Sequence, residues 1–584
     1  MVAMSALLIS CDKDFLERYP LDQVTEPDFF KKASDLQIYM NRFYANGNTG
    51  GAGNLFPVTS QNSRPTDGIA DDMNSDVMIG QELSARLIGN RSITAGSSWG
   101  YNEIRTLNYF FANYERCEAS YEQYKQYLGE AYFFRAWLYF RMLRSVGDVP
   151  WHDKVLGTSS PELYDPRTPR HIVVDNILAD LDEAVKHLSD AKGSGYERIN
   201  KWIALLIQSR IALYEGTWHK YHTGSSPFAP TVSDPNKYLR KSAEAAEAVI
   251  NSGLYDVYQS ADGGDPDMDY YRLFGLPDYS NNREVMFWHR FSTAQGLPNP
   301  CMFYFNEAPV NRGFTKYFAD SYLCKDGNPI SVSPLFQGWN TLSDEATNRD
   351  PRFQQTIWTP EAIWKIEKSK INGADSIVYW QKALEIMNSS SRMFAPTGYC
   401  PRKVYHEDMQ LHSTSTEEYP LIIYRYAEVL LNFAEAKAEL GQITQNDLDI
   451  SINKLRGRVD MPPLKIDNIT YDPNWDFPDL LPVINEIRRE RSVELINEGF
   501  RWYDIQRWAA ATELIVNKRP KGAKSAQFPP HTYPVDANGF LDPYMNADAL
   551  VNGFQFKINR DYLDPIPVNQ IELNSALKQN PNWQ

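Results

Sequence analysis

Seven segments of this chain repeat their apolar residues at helical spacing, and this pattern restricts the fold more than any other feature. In the segment 130–144, EAYFFRAWLYFRMLR, the side chains of Ala136, Phe140 and Leu143 recur every three or four residues. The segments form two groups, 130–144, 171–189, 200–215 and 235–251 in the first, and 422–440, 445–457 and 483–511 in the second. The pattern predicts a protein that is mostly helix.

Glycine and proline mark the expected ends of these helices. Gly216 follows the third segment, Gly441 follows the fifth, and Pro235 opens the fourth. Short connections favour antiparallel helix pairs, and pairs of this kind stack into a solenoid. We therefore predict a tetratricopeptide-like helix-pair solenoid, although the repeat signature itself is degenerate.

The stretch 258–420 separates the two helical groups and has a different character. It contains Pro-, Gly- and Asn-rich loops such as 263–266, with short apolar runs such as 285–288. We expect an inserted, loop-rich lobe with short strands. A single unit of residues 12–584 is predicted, divided into a helical part 12–257, the lobe 258–420, helical repeats 421–511 and an irregular tail 512–584.

Charge and cysteine content exclude several functions. The formal net charge is -15, and the chain has no basic run of the kind that neutralises phosphates, so no nucleic-acid partner is expected. The five cysteines form no close pair, which argues against a disulfide scaffold or a cysteine zinc site. We expect neither a metal nor a cofactor.

The N-terminal segment resembles the end of a lipoprotein signal. Residues 1–10 are short and apolar and lead directly to Cys11, which becomes the lipidated residue in this interpretation. No Lys or Arg precedes Cys11, so the usual basic start is missing and 1–11 is interpreted as a truncated signal. The alternative is an apolar terminus with an ordinary cysteine. No later segment has about 20 uninterrupted apolar residues, the length needed to span a membrane.

Two patterns hint at catalysis or metal binding without adequate context. The segment 96–100 matches GxSxG around Ser98, but a poor strand precedes it. His219 and His222 have helical spacing, yet a zinc site needs further ligands. No pattern selects a carboxylate pair for glycoside hydrolysis. A hydrolase remains an alternative, but the chain is not expected to be an enzyme.

Five stretches along the chain are distinctive when taken together. The most diagnostic is GEAYFFRAWLYFRMLRSVGDVPW at 129–151. The other four stretches are 320–353, 425–441, 487–508 and 562–583. Together they resemble the SusD/RagB family of outer-membrane nutrient-binding lipoproteins, and the matches keep that family's order along the whole chain.

The resemblance implies both a fold and a function. Its members fold as tetratricopeptide-like helix pairs that support a loop-rich lobe, and they bind glycans or, in some members, peptides. They pass this ligand to a TonB-dependent transporter of the outer membrane. The resemblance therefore implies a surface-exposed lipoprotein anchored through Cys11. Peptide binding stays open as the alternative.

The resemblance also points to a binding pair in the segment SSWGYNEI. In the starch-binding member of the family, a Trp and an Asn lie just before and in an early helix, and Trp99 and Asn102 stand at the corresponding place. A Trp ring covers the apolar face of a sugar, and an amide bonds its hydroxyls. The alternative is that Trp99 only packs at the start of the helix.

Four further candidates come from the resemblance by rough position. Tyr304 and Trp339 would contact the ligand from the inserted lobe, and Asp72 and Arg86 from the loops before the first helices. Binding loops diverge most between relatives, so the ligand itself does not carry over.

The segment EGFRWYDIQRW mixes charges and large rings. We interpret Arg501, Trp502, Asp504, Arg507 and Trp508 as a structural network of ion pairs and stacked rings rather than as ligand contacts.

Overall fold

A computed structural model describes residues 29–44, 72–73, 75–80, 82–94, 96–296, 299, 312–367, 376–380, 395–408 and 418–583. Its α-helices of four or more residues are α1 Ala33–Asn41, α2 Asn102–Asn113, α3 Tyr121–Val146, α4 Arg170–His187, α5 Lys201–Tyr221, α6 Pro235–Asn251, α7 Asp269–Leu273, α8 Lys316–Ser321, α9 Leu342–Ala346, α10 Arg352–Thr356, α11 Tyr426–Glu439, α12 Gln445–Asp449, α13 Ile452–Arg458, α14 Pro482–Leu495, α15 Arg501–Arg507, α16 Ala511–Leu514 and α17 Val568–Leu573. The strands are β1 Met78–Gly80, β2 Val285–His289, β3 Arg312–Phe314, β4 Ile363–Glu367, β5 Ser376–Tyr379 and β6 Leu421–Arg425. The prediction of a mostly helical chain with a few short strands is confirmed.

The long helices pack on one another in chain order. Helix α3 packs on α4, α4 on α5, and α5 on α6. Helix α11 then packs on α6, although the loop-rich stretch separates them in sequence, and α14 packs on α11. The stacking thus continues across the interruption, as expected for a solenoid of helix pairs.

The strands form three antiparallel pairs, β1 with β3, β2 with β6, and β4 with β5. In the pair β2–β6, Val285 lies opposite Arg425 and His289 opposite Leu421. Residues 422–425 were expected to begin a helix, and that prediction is wrong. Strand pairing with β2 satisfies their backbone groups, and tertiary pairing overrides a local helical pattern of this kind.

The predicted helix 483–511 is also corrected, because it divides into α14 and α15. Between them, Asn497 and Gly499 adopt φ values of 65° and 77°, which end a right-handed helix. The break directs Glu498 toward Arg425, whose Nε lies 2.8 Å from its carboxylate. The break between the two helices thus coincides with an ion pair between Glu498 and Arg425 of the distant strand β6.

Two hydrophobic cores lie on either side of α14. Ile487 belongs to the larger core, which the long helices form, and Val493 belongs to the core beneath the lobe. Helix α14 thus joins the two parts of the molecule. Among the described residues, no helix is both long and apolar enough to cross a membrane.

The predicted network of charges and rings is present around α15. Arg507 donates to both carboxylate oxygens of Glu435, at 2.5 and 2.7 Å, and Trp508 donates its indole N–H to the same residue at 2.8 Å. All three side chains are buried. The structural interpretation of Arg507 and Trp508 is confirmed.

Gly216 lies inside α5 instead of closing it. A Cβ at this position would lie 2.8 Å from Cγ and 3.0 Å from the backbone nitrogen of Leu239. The missing side chain therefore allows α5 and α6 to approach closely.

We expect Gly216→Ala to lower the free energy of unfolding by about 1–3 kcal/mol, because overpacking outweighs the gain in helix propensity. Gly457→Ala is the matched control, since Gly457 also lies in a helix but has open space where its Cβ would be. Gly457→Ala should raise the free energy of unfolding by up to about 1 kcal/mol. Chemical denaturation of both variants measures the difference, and equal shifts would contradict the close-packing account.

Candidate functional site

A cavity of about 410 Å³ lies beside α14, within the usual size range of small-ligand sites. Its walls come from α8, the loop 330–339, the loop 472–477, α14 itself and the first residue of α15. The lining residues are Lys316, Tyr317, Asp320, Ser321, Ile330, Ser331, Trp339, Asp472, Asn474, Trp475, Asp476, Phe477, Asn485, Arg488, Arg489, Ser492 and Arg501.

Trp339 is half-buried in this wall, and edge-on rings hold it in place. Its ring lies 4.9 Å from that of Phe336 and 5.9 Å from that of Phe540, at interplanar angles of 74° and 88°. The ammonium group of Lys316 lies 4.7 Å from the ring centroid. Contacts on several sides fix the orientation of this indole.

Trp475 is a second half-buried indole in the wall. Its N–H donates to Glu486 at 3.0 Å, and its ring meets Tyr471 edge-on at 5.1 Å. A fixed aromatic ring offers a flat apolar face at little entropic cost, which suits the C–H face of a sugar ring.

The polar groups of the cavity are held by contacts within the protein. Arg489 donates to Asp472 at 2.7 Å, and Asp472 also accepts from Ser331 at 2.9 Å. The hydroxyl of Tyr317 donates to Asp476. Burial raises the pKa of Asp476, although the nearby Arg501 charge opposes this change. The cavity therefore combines aromatic faces with carboxylates that accept hydrogen bonds.

Trp99 and Asn102 lie at a different place, where α2 begins. Asn102 is the first residue of α2 and is exposed, and Trp99 precedes the helix and is half-buried. The ring of Trp99 meets Tyr101 edge-on at 5.8 Å. Neither residue lines the cavity. Trp99 also packs against the larger hydrophobic core.

Two family models match most of the chain. Residues 14–213 match a family described as starch-binding and associating with the outer membrane, and residues 304–583 match the SusD family. The chain belongs to the SusD family. Outer-membrane association is thus part of the description of its family.

Two individual SusD-like relatives match over two thirds or more of the chain. SusD-like protein P2 of Formosa agariphila is 24% identical over 593 residues, which cover 99% of this chain and 98% of the relative. SusD-like protein P38 of the same organism is 25% identical over 413 residues, covering 67% of this chain and 68% of that protein.

Solved SusD-like structures share the fold. A SusD-like carbohydrate-binding protein from Bacteroides fragilis superposes with a TM-score of 0.70 at 21% identity, covering 94% of this chain and all of the other. A laminarin-binding SusD-like protein superposes with a TM-score of 0.54 at 17% identity and the same coverage.

In this SusD-family chain, Asp72 and Arg86 take part in internal contacts. Asp72 is 0% exposed and accepts from the backbone nitrogen of Arg501 at 3.2 Å, so it has no surface to offer a ligand. Arg86 donates to Asp564 at 3.2 Å and stacks 4.1 Å from the ring of Trp502. Neither residue is part of the proposed site.

Two other candidates, Tyr304 and Cys11, lie outside the described residues. The cavity also contains residues that the sequence analysis missed, above all Tyr317, Trp475 and Asp476. The adjacent Trp475-Asp476 pair in a Pro- and Asn-rich loop was the available signal, because such loops commonly carry binding residues.

In the structure, the backbone around Ser98 does not form a nucleophile elbow. Ser98 is exposed in an irregular segment and donates its backbone N–H to Ser145 at 3.0 Å. The GxSxG arrangement of hydrolases requires a strand before the serine and a helix directly after it. Residues 82–94 and 96–100 contain no strand.

His219 lies in the last turn of α5 and His222 directly follows the helix, and both side chains are buried. His219 bonds Glu215 at 3.0 Å and accepts from the backbone nitrogen of Asp234 at 3.1 Å. His222 bonds the carbonyl of Gln506 at 2.8 Å. The two imidazoles therefore have separate protein partners.

Burial lowers the pKa of His222 from 6.5 to about 3, since the charged imidazole would lose its water. The unfolded chain therefore takes up a proton below pH 6.5 that the folded chain refuses, and stability falls as the pH drops toward about 3. We expect His222→Gln to remove about 2 kcal/mol of the stability loss between pH 7 and pH 5. Urea denaturation at both pH values measures this. An identical loss in the variant and the wild type would contradict it.

Proposed function

We propose that this protein binds a glycan in the cavity beside α14 at the bacterial surface and delivers it to a TonB-dependent transporter. The observation that carries the proposal is the position of Trp339, a lobe residue that lines one cavity with Trp475, Tyr317 and Asp476. Aromatic faces bind the apolar face of a sugar, and carboxylates accept its hydroxyl protons. Family membership and the laminarin-binding relative support the same ligand class.

The proposed location is the outer face of the outer membrane, through a lipid on Cys11. The apolar segment before Cys11 and the family description support this. The transporter partner is proposed from the family alone. Capture without turnover is the proposed mode of action, because the described cavity offers positioned hydrogen-bond acceptors rather than an activated nucleophile.

Trp99 and Asn102 remain a second proposed contact. The amide of Asn102 is exposed at the start of α2 and suits a hydroxyl of a long, flexible glycan.

Affinity electrophoresis against a panel of polysaccharides tests the proposal, with product analysis after long incubation of the same mixtures. We expect retardation by at least one polysaccharide and no shortened products. Retardation by none, together with binding of peptides, would favour the peptide-binding alternative. Shortened products that disappear in Ser98→Ala would support the hydrolase alternative.

A further inference from the structure

The charged side chains lining the cavity are paired almost completely within the protein. Four basic residues line it, and each forms an ion pair with a carboxylate of the same chain. Their positive charge is therefore balanced before any ligand binds. The pairs are Lys316 with Asp320, Arg488 with Glu439, Arg489 with Asp472, and Arg501 with Asp76.

Asp476 is the exception among the lining residues. One of its oxygens, Oδ2, accepts the hydroxyl of Tyr317, and no cation of a described residue lies within ion-pair distance of the carboxylate. Its other oxygen, Oδ1, accepts no hydrogen bond from a described residue. Burial raises its pKa, and the hydrogen bond from Tyr317 and the more distant charge of Arg501 offset this rise only in part.

A chain of contacts fixes the orientation of Asp476. Asp76 accepts from Arg501 at 2.6 and 2.9 Å, and Arg501 donates to the hydroxyl of Tyr317 at 3.3 Å. Tyr317 in turn donates to Asp476. Because this relay occupies Oδ2, the oxygen Oδ1 is left to accept a hydrogen bond from whatever enters the cavity.

We propose that Asp476 selects glycans that lack carboxylate and sulfate groups. This inference rests on the proposed function and specifies its substrate class. A sugar hydroxyl donates to the free oxygen of Asp476 in a charge-assisted hydrogen bond. A uronate or sulfate would instead meet an unpaired negative charge, and the neighbouring cations are already neutralised. Selectivity thus comes from repulsion of acidic sugars as well as from attraction of hydroxyl donors.

The test uses laminarin and amylopectin as neutral probes and alginate and polygalacturonate as anionic probes. We expect the wild type to be retarded by at least one neutral probe and by neither anionic one. Asp476→Asn keeps an acceptor for Tyr317 and should weaken binding of the neutral probe about fivefold to tenfold, the difference between bonding a carboxylate and bonding an amide. Asp479→Asn is the matched control, because Asp479 is exposed in the same stretch and does not line the cavity. It should bind as the wild type does.

The outcomes separate this inference from the proposed function. Binding of alginate or polygalacturonate by the wild type would overturn the selectivity while leaving glycan binding intact. Unchanged affinity of Asp476→Asn, with the wild-type melting temperature, would overturn the role of Asp476. Binding of no polysaccharide would reject the glycan function itself, and the inference with it.

Discussion

Glu494→Gln should lower the free energy of unfolding by about 3–5 kcal/mol, the usual cost of removing one partner from a buried ion pair. Glu494 is fully buried and accepts hydrogen bonds from three guanidinium groups. Arg352 donates at 3.0 Å, Arg425 at 2.7 Å, and Arg458 at 2.8 and 2.7 Å. A glutamine has no charge to balance them, and its amide would turn two N–H donors toward other donors.

Acidification should reduce the difference between this variant and the wild type. Burial alone would raise the pKa of Glu494, but Arg458, Arg425 and Arg352 together hold it well below its usual value of 4.5. A carboxylate with a lowered pKa stabilises the folded state above about pH 4.5, and this contribution disappears as the pH falls. Below that pH the wild type loses the stabilisation that the variant already lacks.

Glu247→Gln is the matched control, because Glu247 is exposed on α6. It should change the free energy of unfolding by no more than about 0.5 kcal/mol. Urea denaturation of both variants and the wild type from pH 7 to pH 3 measures the effect. A Glu494→Gln variant as stable as the control would contradict the network.

Trp339→Ala should weaken binding of a retained polysaccharide by about 1–3 kcal/mol, which corresponds to about fivefold to 150-fold in affinity. The ring is half-buried in the cavity wall, and Phe336, Phe540 and Lys316 hold its orientation. Truncation removes one of the two fixed indole faces, so the sugar loses its stacking contact on the lobe side of the cavity. Isothermal titration with the polysaccharide that the panel identifies measures the loss.

Trp202→Ala provides the control for this experiment. Trp202 is a half-buried indole on α5 that bonds the carbonyl of Asp190 at 2.7 Å and does not line the cavity. Its replacement should leave the affinity unchanged. If Trp339→Ala and Trp202→Ala bind alike, the cavity beside α14 is not the binding site.

The second proposed contact is tested in the same titration. Asn102→Ala should weaken binding by about 1 kcal/mol, the contribution of one hydrogen bond, and Trp99→Ala by about 1–3 kcal/mol for a stacked ring. Asn102 is exposed, so its variant should keep the wild-type melting temperature. Wild-type affinity in both variants would restrict the site to the cavity.

Much of the helical scaffold was predictable, because helical periodicity is a local property of the chain. Apolar residues three and four positions apart share a face whatever lies elsewhere in the sequence. The pattern therefore located α4, α6 and α11 and most of α3 and α5. It failed where a distant partner decided the outcome. Residues 422–425 became a strand through pairing with β2, and Gly216 stayed inside α5 because α6 packs against it.

The candidate site, like the scaffold, was only partly predictable from the sequence. The family resemblance in the sequence singled out Trp339, but nothing in its neighbourhood indicated that a loop more than a hundred residues later would complete the cavity around it. Asp72 was a candidate by its position in the chain, and only the fold placed its carboxylate inside the protein, against the start of α15.

The sequence by itself thus determined the helical scaffold, the family and one wall of the proposed site. The tertiary structure alone decided which charges neutralise one another and which carboxylate is left to face a ligand. The reason is physical. Helix formation depends on neighbours within one or two turns, whereas desolvation and ion pairing depend on groups that only folding brings within a few ångströms, as Arg501 is brought to Asp76 and Tyr317 to Asp476.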